Sequence, residues 1–253
     1  MKITFLGTGT SQGVPIIGCQ CEVCQSKDAR DKRLRSSILI ENEGKTFIID
    51  TGPDFREQML REDIRSLDAV IYTHEHRDHI AGLDDIRGFN FVMGRAIDVY
   101  ADTNVQNAIR RMYPYIFSEE KYPGIPEINL HHIDGSPFTI DKTTFIPVQV
   151  MHHKLPVWGF RIGNFTYVTD ANYIAQEEKE KIKGSEILVL NALRKEKHIS
   201  HFTLDEAMET AKELGVKQVY FTHISHQLGK QADVEKDLPE GFHLAFDRQV
   251  LHI

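Results

Sequence analysis

The amino-acid sequence predicts a layered α/β protein. Short apolar runs, typical of β-strands, recur from one end of the chain to the other, and fewer segments with helical spacing lie between them. No internal repeat, low-complexity tract or Gly/Ser-rich linker interrupts the 253 residues. Strands with helices inserted between them are typical of sheets covered by helices. We therefore expect one domain, residues 1–253, whose core is large enough to need no disulfide.

Strand candidates dominate the first seventy residues. The run Lys2–Leu6 is apolar and leads into a glycine-rich loop at Gly7–Gly18. The runs Ser37–Glu41 and Thr46–Asp50 flank the turn-forming residues Asn, Glu and Gly at 42–44, which predict a β-hairpin. The other strand candidates, in chain order, are Ala69–Thr73, Phe145–Met151, Trp158–Ile162, Thr166–Thr169, Ile187–Leu190, Gln218–Thr222, Phe242–Phe246 and Gln249–Ile253.

One helix is specified at both ends. Thr203 and Glu206 form a capping box, apolar residues follow at helical spacing, and Gly215 supplies the C-terminal stop. Asn104–Ile116 and Tyr173–Ile182 are further helix candidates.

The segment Ser118–Ile133 is predicted to be an irregular excursion. It contains Pro123, Gly124 and Pro126, which interrupt helical and strand patterns alike. Long loops in compact domains are often functional, so this segment is a candidate lid.

Charge and hydropathy exclude several classes of protein. Lys and Arg number 30 against 37 Asp and Glu, a formal net charge of −7, which disfavours general binding to nucleic acids or membranes. A phosphate-bearing small substrate stays open because bound metal ions can supply positive charge. The basic stretch Lys27–Arg35 also contains two aspartates and is interpreted as a solvated loop, with phosphate attraction as the alternative.

No apolar run exceeds four residues and the N-terminus does not resemble a secretory signal, so we expect a cytoplasmic protein.

The three cysteines of the chain fall within six residues, at Cys19, Cys21 and Cys24. An odd number of cysteines in a reducing compartment favours metal binding over disulfide formation. A structural zinc site needs four ligands, and thiolates are among those that zinc prefers. The trio is therefore one ligand short of a closed zinc site.

A histidine-rich cluster follows the strand candidate that ends at Thr73. Its ligand-type residues are His74, His76, Asp78 and His79. At this spacing they cannot all point one way from a regular helix or strand, but on a strand-to-helix loop they can converge as metal ligands. Imidazole and carboxylate groups suit zinc, manganese or iron. The cluster therefore predicts a metal site at the end of a strand.

This H-x-H-x-D-H pattern resembles the hallmark of the metallo-β-lactamase fold superfamily. The resemblance covers nearly the whole chain, because His152, Asp170 and His223 match the family's later ligands in order, each near the end of a strand candidate. It implies a four-layer αββα sandwich with two mixed β-sheets face to face, and two catalytic divalent metals. The implied ligands are His74, His76 and His152 for one metal, Asp78, His79 and His223 for the second, and Asp170 as the bridge.

The identity of the matched residues indicates the dinuclear hydrolase branches of this superfamily. True β-lactamases lack a histidine at the position of His79 and have cysteine where Asp170 stands. Diiron flavoprotein relatives carry glutamate where His76 stands. Asp50 matches a family aspartate that supports the histidine cluster without binding the metal.

Around the cysteines the chain resembles the phosphoribosyl cyclic phosphate phosphodiesterase group. Shared features are the Gly-Thr-Gly start at residues 7–9, the loop Gln12–Pro15, the C-x-C-x₂-C trio and the T-H-I-S-H-Q run at residues 222–227. His226, three residues after His223, is the expected fourth ligand of a structural zinc in the loop 19–24, together with Cys19, Cys21 and Cys24. Reduced cysteines that bind no metal are the alternative.

The remaining histidines are interpreted one by one. By the resemblance, His201, which precedes the capped helix, is a general acid that protonates the leaving oxygen; a polar loop residue is the alternative. His153 competes with His152 for the ligand position, and Lys154 favours His152 by analogy. The histidines interpreted as surface or packing residues are His131, His132, His198, His243 and His252.

The resemblance implies metal-dependent hydrolysis of a small, cyclic phosphate ester. In that mechanism two metals, zinc or manganese, share a hydroxide that attacks phosphorus, Asp78 and Asp170 orient it, and His201 protonates the leaving oxygen. A third metal, zinc, would be structural. The expected partner is a small phosphodiester rather than a membrane or a large nucleic acid, and a homodimer is compatible with the sequence.

Three alternatives share parts of this ligand set. A tRNA 3′-end endonuclease would carry an RNA-binding arm rich in glycine and basic residues, whereas residues 118–133 contain one Lys and three Glu. A thioester hydrolase would use the same metals on a different ester. A non-catalytic metal-binding accessory protein would be expected to lack one or more of the seven dinuclear ligands, and all seven are present.

Overall fold

The structure, a computed structural model, describes residues 1–120 and 122–253. Its residues form two compact units, each built around one mixed β-sheet, which confirms the prediction of an α/β fold with two mixed sheets. That the whole chain is one functional domain stays a prediction. Unit 1 comprises Met1–Leu6, Ser37–Asp134 and Val250–His252, and unit 2 comprises Gly7–Ser36, Gly135–Gln249 and Ile253.

The strands and helices have the following bounds. The strands are β1 (Lys2–Gly7), β2 (Ser37–Asn42), β3 (Lys45–Ile49), β4 (Ala69–Ile71), β5 (Ile97–Ala101), β6 (Ile128–His132), β7 (Phe138–Ile140), β8 (Thr143–His152), β9 (Leu155–Ile162), β10 (Phe165–Val168), β11 (Tyr173–Ile174), β12 (Ile187–Asn191), β13 (Gln218–Thr222), β14 (Phe242–Leu244) and β15 (Val250–His252). The helices are α1 (Phe55–Arg61), α2 (Arg77–Ile80), α3 (Arg87–Met93), α4 (Thr103–Met112), α5 (Gln176–Ile182), α6 (Leu204–Leu214) and α7 (Gln231–Glu235). Within the part of the chain that the structure describes, no helix is long and apolar enough to cross a membrane.

The sheet of unit 1 has the strand order β15-β1-β2-β3-β4-β5-β6. Strands β2 and β3 form the predicted antiparallel hairpin, and β3 to β6 run parallel to one another. Ile48, Val70 and Val99 of the sheet and Ile109 of α4 belong to one buried cluster and are fully buried. Because parallel strands end at the same edge of a sheet, the segments that follow β3 and β4 start side by side.

Two predictions in unit 1 need correction. The predicted helix Asn104–Ile116 ends at Met112 because Pro114 lacks a backbone N–H and disfavours helical geometry in the residue before it. The segment Ser118–Ile133 is not irregular throughout, since Ile128–His132 form β6 and pair with β5. That pairing is a long-range contact which the local Pro and Gly pattern does not indicate. Lys121, in the same segment, lies outside the described residues.

The sheet of unit 2 has the strand order β11-β8-β9-β10-β12-β13-β14, and β7 pairs with β8. Strands β10, β12, β13 and β14 are parallel. Strand β8 runs antiparallel to β9, which runs antiparallel to β10, so β8 and β10 point the same way. The C-terminal ends of β8, β10 and β13 therefore lie at one edge of the sheet, and His152, Asp170 and His223 stand at or just after those ends.

Helix α6 has the predicted ends. The Thr203 hydroxyl accepts from the Glu206 N–H, the Glu206 side chain accepts from the Thr203 N–H, and Gly215 is left-handed with φ of 70°. The predicted helix Tyr173–Ile182 is shorter than expected. Tyr173 and Ile174 pair with β8 as strand β11, and α5 begins only at Gln176.

The basic stretch Lys27–Arg35 is not a solvated loop throughout, because Arg33 is buried. Its guanidinium donates to the Thr8 hydroxyl (2.8 Å), to the Ala245 carbonyl and to the Gln231 side chain. Burial lowers the pKa of Arg33 to about 10, and Asp247 is the largest opposing influence. The side chain therefore stays charged at neutral pH and ties this stretch to the C-terminal part of unit 2.

We predict that Gly82→Ala destabilises unit 1. The Gly82 N–H donates to the Thr51 carbonyl (2.8 Å), and an added Cβ would overlap the Gly52 carbonyl oxygen and lie 2.7 Å from Phe55 Cβ. The free energy of unfolding, measured by urea denaturation, should fall by about 1–3 kcal/mol, as in other overpacked sites. Gly88→Ala is the matched control, because its Cβ would meet no heavy atom within 4 Å. Equal unfolding free energies for both variants would contradict the prediction.

Candidate metal centres

The histidine loop of unit 1, His74–His79, brings its four ligand-type side chains together. It follows β4 and turns into the short helix α2 at Arg77. The His74 ring centroid lies 4.6 Å from that of His76 and 4.1 Å from that of His79. Asp78 Oδ2 lies 3.2 Å from His79 Nε2. His74 and His79 are buried, Asp78 is half-buried and His76 is exposed, so the group is accessible from one side.

Asp50, directly after β3, supports this loop. Its carboxylate accepts from the Thr73 N–H (2.9 Å), from the Thr73 hydroxyl (2.8 Å) and from His79 Nδ1 (2.7 Å). Burial raises the pKa of Asp50, and the neighbouring His79 opposes that rise. The role that the resemblance assigns to Asp50 agrees with these contacts.

The same hydrogen bonds orient the imidazole rings. His74 Nδ1 lies 2.9 Å from the Thr73 hydroxyl, and His79 donates from Nδ1 to Asp50, so Nε2 is the ring nitrogen that would bind a metal in each case. A metal-bound histidine commonly donates its other ring nitrogen in this way. Thr73, which was not predicted from the sequence, thus links Asp50 to His74 through its hydroxyl. Its only local signal is its position between an apolar strand and the first histidine of the motif.

A second group of ligand-type side chains lies in unit 2 and is called the Asp170 group: His152, Asp170, His201 and His223. His223 Nε2 lies 3.1 Å from Asp170 Oδ1, and His201 Nδ1 lies 3.9 Å from the same oxygen. The His201 ring centroid lies 4.5 Å from that of His152 and 4.7 Å from that of His223. Ligand atoms of His152, Asp170 and His201 lie within 4.8 Å of one another.

Hydrogen bonds from neighbouring strands hold the Asp170 group. The Thr169 hydroxyl donates to Asp170 Oδ2 (2.6 Å), and the buried Asn191 side chain exchanges two hydrogen bonds with the Ala171 backbone. His152 Nδ1 donates to the Ser200 carbonyl (2.9 Å), as the second ring nitrogen of a metal-bound histidine commonly does. Asn191 was not predicted from the sequence. The available signal is a polar residue that closes the apolar run Ile187–Leu190.

The structure separates His152 from His153. His152 ends β8 within the Asp170 group, whereas His153 is exposed and left-handed, with φ of 57°. The His153 N–H donates to the Asn172 side chain (2.7 Å), which fixes the turn after β8. The geometry therefore favours His152 as the ligand.

His198 lies beside His201 of the Asp170 group. Burial, followed by the neighbouring His223, lowers the pKa of His201 to about 2, so its ring is neutral at pH 7. The ring of His198 lies 5.2 Å from that of His201, and the Ser200 N–H donates to its Nδ1 (3.3 Å). The interpretation of His198 as a surface or packing residue misses this contact, which depends on the fold of the loop before α6.

The cysteine cluster of unit 2 contains the four predicted ligands. His226 Nδ1 lies 3.4 Å from Cys19 Sγ, 3.2 Å from Cys21 Sγ and 3.6 Å from Cys24 Sγ. In a tetrahedral site with Zn–S of about 2.3 Å and Zn–N of about 2.0–2.1 Å, the sulfur-to-nitrogen distances are about 3.5 Å. The three thiols and one imidazole therefore fit a closed zinc site in both donor type and spacing.

The cysteines have unequal proton affinities in the absence of metal. The Cys24 N–H and His226 lower the pKa of the Cys21 thiol to about 6, whereas burial raises the pKa of Cys24 to about 11. The thiolate is the form that binds metal, so Cys21 is prepared for binding. Residues 8 and 10 pair with the backbone of Ile224, which holds the loop before the cysteines close to the segment that carries His226.

The chain belongs to the β-lactamase superfamily, whose domain pattern it matches over residues 45–224. Members of this superfamily include metal-dependent hydrolases, so the prediction of such an enzyme is confirmed at the level of the family. The resemblance inferred from the ligand motifs is likewise confirmed.

Sequence relatives carry two different names. An octanoyltransferase of Porphyromonas gingivalis is 41% identical over 250 residues, which are 98% of this chain and 50% of the relative. A ribonuclease Z of Microcystis aeruginosa is 27% identical over 168 residues, 64% of this chain and 47% of the relative. The chain thus spans about half the length of each of these relatives.

A solved structure resembles the whole chain. It is the crystal structure of a new diphosphatase from the PhnP family, 40% identical, with a TM-score of 0.93 over 100% of this chain and 97% of that one. This match supports the metallo-β-lactamase fold for the described elements.

We predict about three bound metals per chain, one of which depends on Cys21. Cys21→Ser should remove about one zinc, measured by elemental analysis of protein purified without chelator. It should also lower the melting temperature by roughly 5–10 °C, because a structural zinc contributes folding energy. Gln20→Ser is the matched control, since Gln20 is exposed and its side chain bonds, among the described residues, only to Gln25. Full zinc content and an unchanged melting temperature in Cys21→Ser would refute the structural site.

We further predict that the two adjacent histidines respond differently to substitution. His152→Asn should lower the metal content by about one and reduce hydrolysis roughly 100-fold or more, because a ligand should matter at least as much as the groups that orient it. His153→Asn is the matched control, since asparagine tolerates the left-handed backbone at that position. Loss of metal and activity in His153→Asn alone would transfer the ligand role to His153.

Proposed function

We propose that this chain is a dinuclear metal-dependent hydrolase of small phosphate esters. The observation that carries the proposal is that all seven candidate ligands are present and that hydrogen bonds orient three of them. Four belong to the histidine loop and three to the Asp170 group, and hydrogen bonds aim His74, His79 and His152 through their Nδ1 atoms. The proposed ligands are His74, His76 and His152 for one metal, Asp78, His79 and His223 for the other, and Asp170 as the bridge. Two divalent metals, zinc or manganese, would activate water and stabilise negative charge on phosphoryl oxygens.

The proposed substrate is a small, cyclic phosphodiester such as a ribose cyclic phosphate. The net charge of −7 disfavours a long polyanion, and a compact cyclic ester needs no extended binding arm. Opening a five-membered cyclic phosphate also releases ring strain. Residues 118–120 and 122–127, which precede β6, are the proposed lid.

A diphosphate is the second candidate substrate. The observation that favours it is the 40% identity and full-length similarity to a diphosphatase of the PhnP family. A phosphoanhydride, like a phosphodiester, is cleaved at phosphorus with charge building on the phosphoryl oxygens. The same metal ligands would serve either substrate.

The chain's own residues supply orientation and a proton. Asp78 and Asp170 accept hydrogen bonds and so can orient the nucleophilic water. His201 lies beside Asp170 and is proposed as the group that protonates the leaving oxygen. Its ring is neutral without a ligand, and the negative charge of a bound phosphoryl group would favour the protonated form.

The names of the sequence relatives motivate two alternatives. The sequence match to the ribonuclease Z of Microcystis aeruginosa covers 64% of this chain, and the octanoyltransferase is about twice as long as the matched region. Cleavage of precursor tRNA and hydrolysis of an octanoyl thioester are therefore alternative activities to be tested.

We also propose a cytoplasmic location, because a Cys₃His zinc site needs reduced thiols.

A substrate panel tests the proposed function. Purified, metal-loaded protein would be assayed with a ribose cyclic phosphate, bis(p-nitrophenyl) phosphate, a nucleoside diphosphate sugar, an octanoyl thioester and precursor tRNA. We expect turnover of the cyclic ester and the nitrophenyl diester. Preference for the diphosphate would support the second candidate. Efficient cleavage of precursor tRNA or the thioester alone would overturn the proposal.

We predict that His201→Ala discriminates between leaving groups. Diesters with poor leaving groups should slow by about 10²-fold or more, the usual range for general acid catalysis. Nitrophenyl diesters should slow much less, because nitrophenolate leaves without a proton. His243→Ala is the control, since His243 stacks on Tyr220 rather than on the Asp170 group. Equal losses on both substrate types would remove His201 as the acid.

A further inference from the structure

The segment of unit 2 that ends on the proposed acid His201 is held in place by side chains. This segment, residues 195–201, is called the acid loop and contains neither a helix nor a strand. Among the described residues, none forms a backbone-to-backbone hydrogen bond with the acid loop. Its carbonyl groups accept from side chains instead: Arg194 donates to Glu196 and Lys197, Asn172 to Ile199, and His152 to Ser200. The position of the acid loop therefore depends on a few side-chain donors.

Asn172 connects the acid loop to the turn that follows β8. Its side-chain Nδ2 donates to the Ile199 carbonyl (3.2 Å), and its Oδ1 accepts from the His153 N–H (2.7 Å). The backbone of Asn172 is held as well, since its N–H donates to the Met151 carbonyl (2.8 Å) and strand β11 begins at the next residue. A side chain on a fixed backbone thus bridges two segments that are far apart in the sequence.

The Asn172 side chain closes a ring of hydrogen bonds. His152 Nδ1 donates to the Ser200 carbonyl (2.9 Å), beside the Ile199 carbonyl that accepts from Asn172. Because His152 and His153 are also adjacent in the chain, the bonds return to their starting point. Hydrogen bonds in such a network support one another, so the loss of one donor weakens the hold on the whole acid loop.

We propose that Asn172 is a positioning residue that holds His201 beside Asp170. His201 follows the two carbonyls that Asn172 and His152 hold, and its Nδ1 lies 3.9 Å from Asp170 Oδ1. The inference rests on the proposed function, in which His201 protonates the leaving oxygen. Proton transfer needs hydrogen-bond reach, and a misplacement of about 1 Å can slow a reaction roughly 100-fold. Asn172 thus acts through the acid loop rather than at the reacting atoms.

The variant Asn172→Asp tests the proposal because it separates the two side-chain bonds. A carboxylate still accepts from the His153 N–H but cannot donate to the Ile199 carbonyl. We expect diesters with poor leaving groups to slow about tenfold or more relative to nitrophenyl diesters, since only the former need the proton from His201. Asn107→Asp is the matched control, because it makes the same change of charge at an exposed position of α4.

A double variant shows whether Asn172 acts through His201. Asn172→Asp combined with His201→Ala should hydrolyse diesters with poor leaving groups no more slowly than His201→Ala alone, because residues that act as a unit give non-additive losses. Losses that multiply in the double variant would contradict the proposal.

Nitrogen NMR of the histidine rings gives a readout that does not depend on activity. At about pH 8 an unperturbed histidine is neutral, and the Ser200 carbonyl selects the tautomer of His152 that has its proton on Nδ1. Metal-free wild-type protein and Asn107→Asp should show this tautomer, whereas Asn172→Asp should show a mixture of both. Circular dichroism and the urea midpoint establish that each variant is folded. Asn172→Ser, whose side chain is too short to reach the Ile199 carbonyl, replaces Asn172→Asp if that variant misfolds.

Failure of the positioning role and failure of the proposed function give different results. A wild-type chain that hydrolyses no phosphodiester would overturn the proposed function, and the tautomer of His152 then decides the role of Asn172. An unchanged tautomer in Asn172→Asp would overturn the positioning role whatever the activity of the wild-type chain. In an active enzyme, equal rates or an equal slowing of both kinds of diester would overturn it as well.

Discussion

The buried carboxylate of Asp50 is the interaction on which the histidine loop depends. A carboxylate removed from water is costly unless hydrogen-bond donors replace the lost solvent. Three donors do so here, two from Thr73 and one from His79. The same bonds that stabilise Asp50 fix the ring of His79 and, through the Thr73 hydroxyl, that of His74. The same hydrogen-bond network therefore stabilises the buried Asp50 and orients the proposed ligands. A substitution that breaks this network should affect both.

In both units, candidate functional side chains stand on left-handed residues that follow a strand. Asp50, Asp170 and His223 each follow a strand and adopt left-handed backbone conformations, with φ of 66°, 56° and 56°. Such conformations are uncommon for residues other than glycine and persist where the surroundings enforce them. Here the buried strand before each residue and the hydrogen bonds around it supply that enforcement. The left-handed residue ends the strand abruptly, so its side chain stands at the edge of the sheet.

The N-terminal part of unit 2 is held by polar contacts rather than by a large apolar core. Arg33 donates to groups near both ends of the unit, and Asp247 accepts from the N–H groups of Thr8 and Leu34. The Cys₃His cluster adds a further cross-link if zinc is bound. Because His226 stands three residues after His223, the same cross-link would restrain one proposed catalytic ligand.

Local pattern alone determined the helix α6, the β2–β3 hairpin and most strands, because capping boxes, turn residues and apolar runs act over a few neighbouring positions. The same holds for the H-x-H-x-D-H motif and the cysteine trio, whose spacing is itself the chemical signal. Only the tertiary structure placed His152 rather than His153 in the Asp170 group, buried Arg33, brought His198 against His201 and showed β6 inside a segment expected to be irregular. Each of these outcomes depends on hydrogen bonds or packing with residues far away in the chain. The supporting residues Thr73, Asn191 and Ser200 escaped prediction for the same reason, since their partners meet them only after the strands have paired.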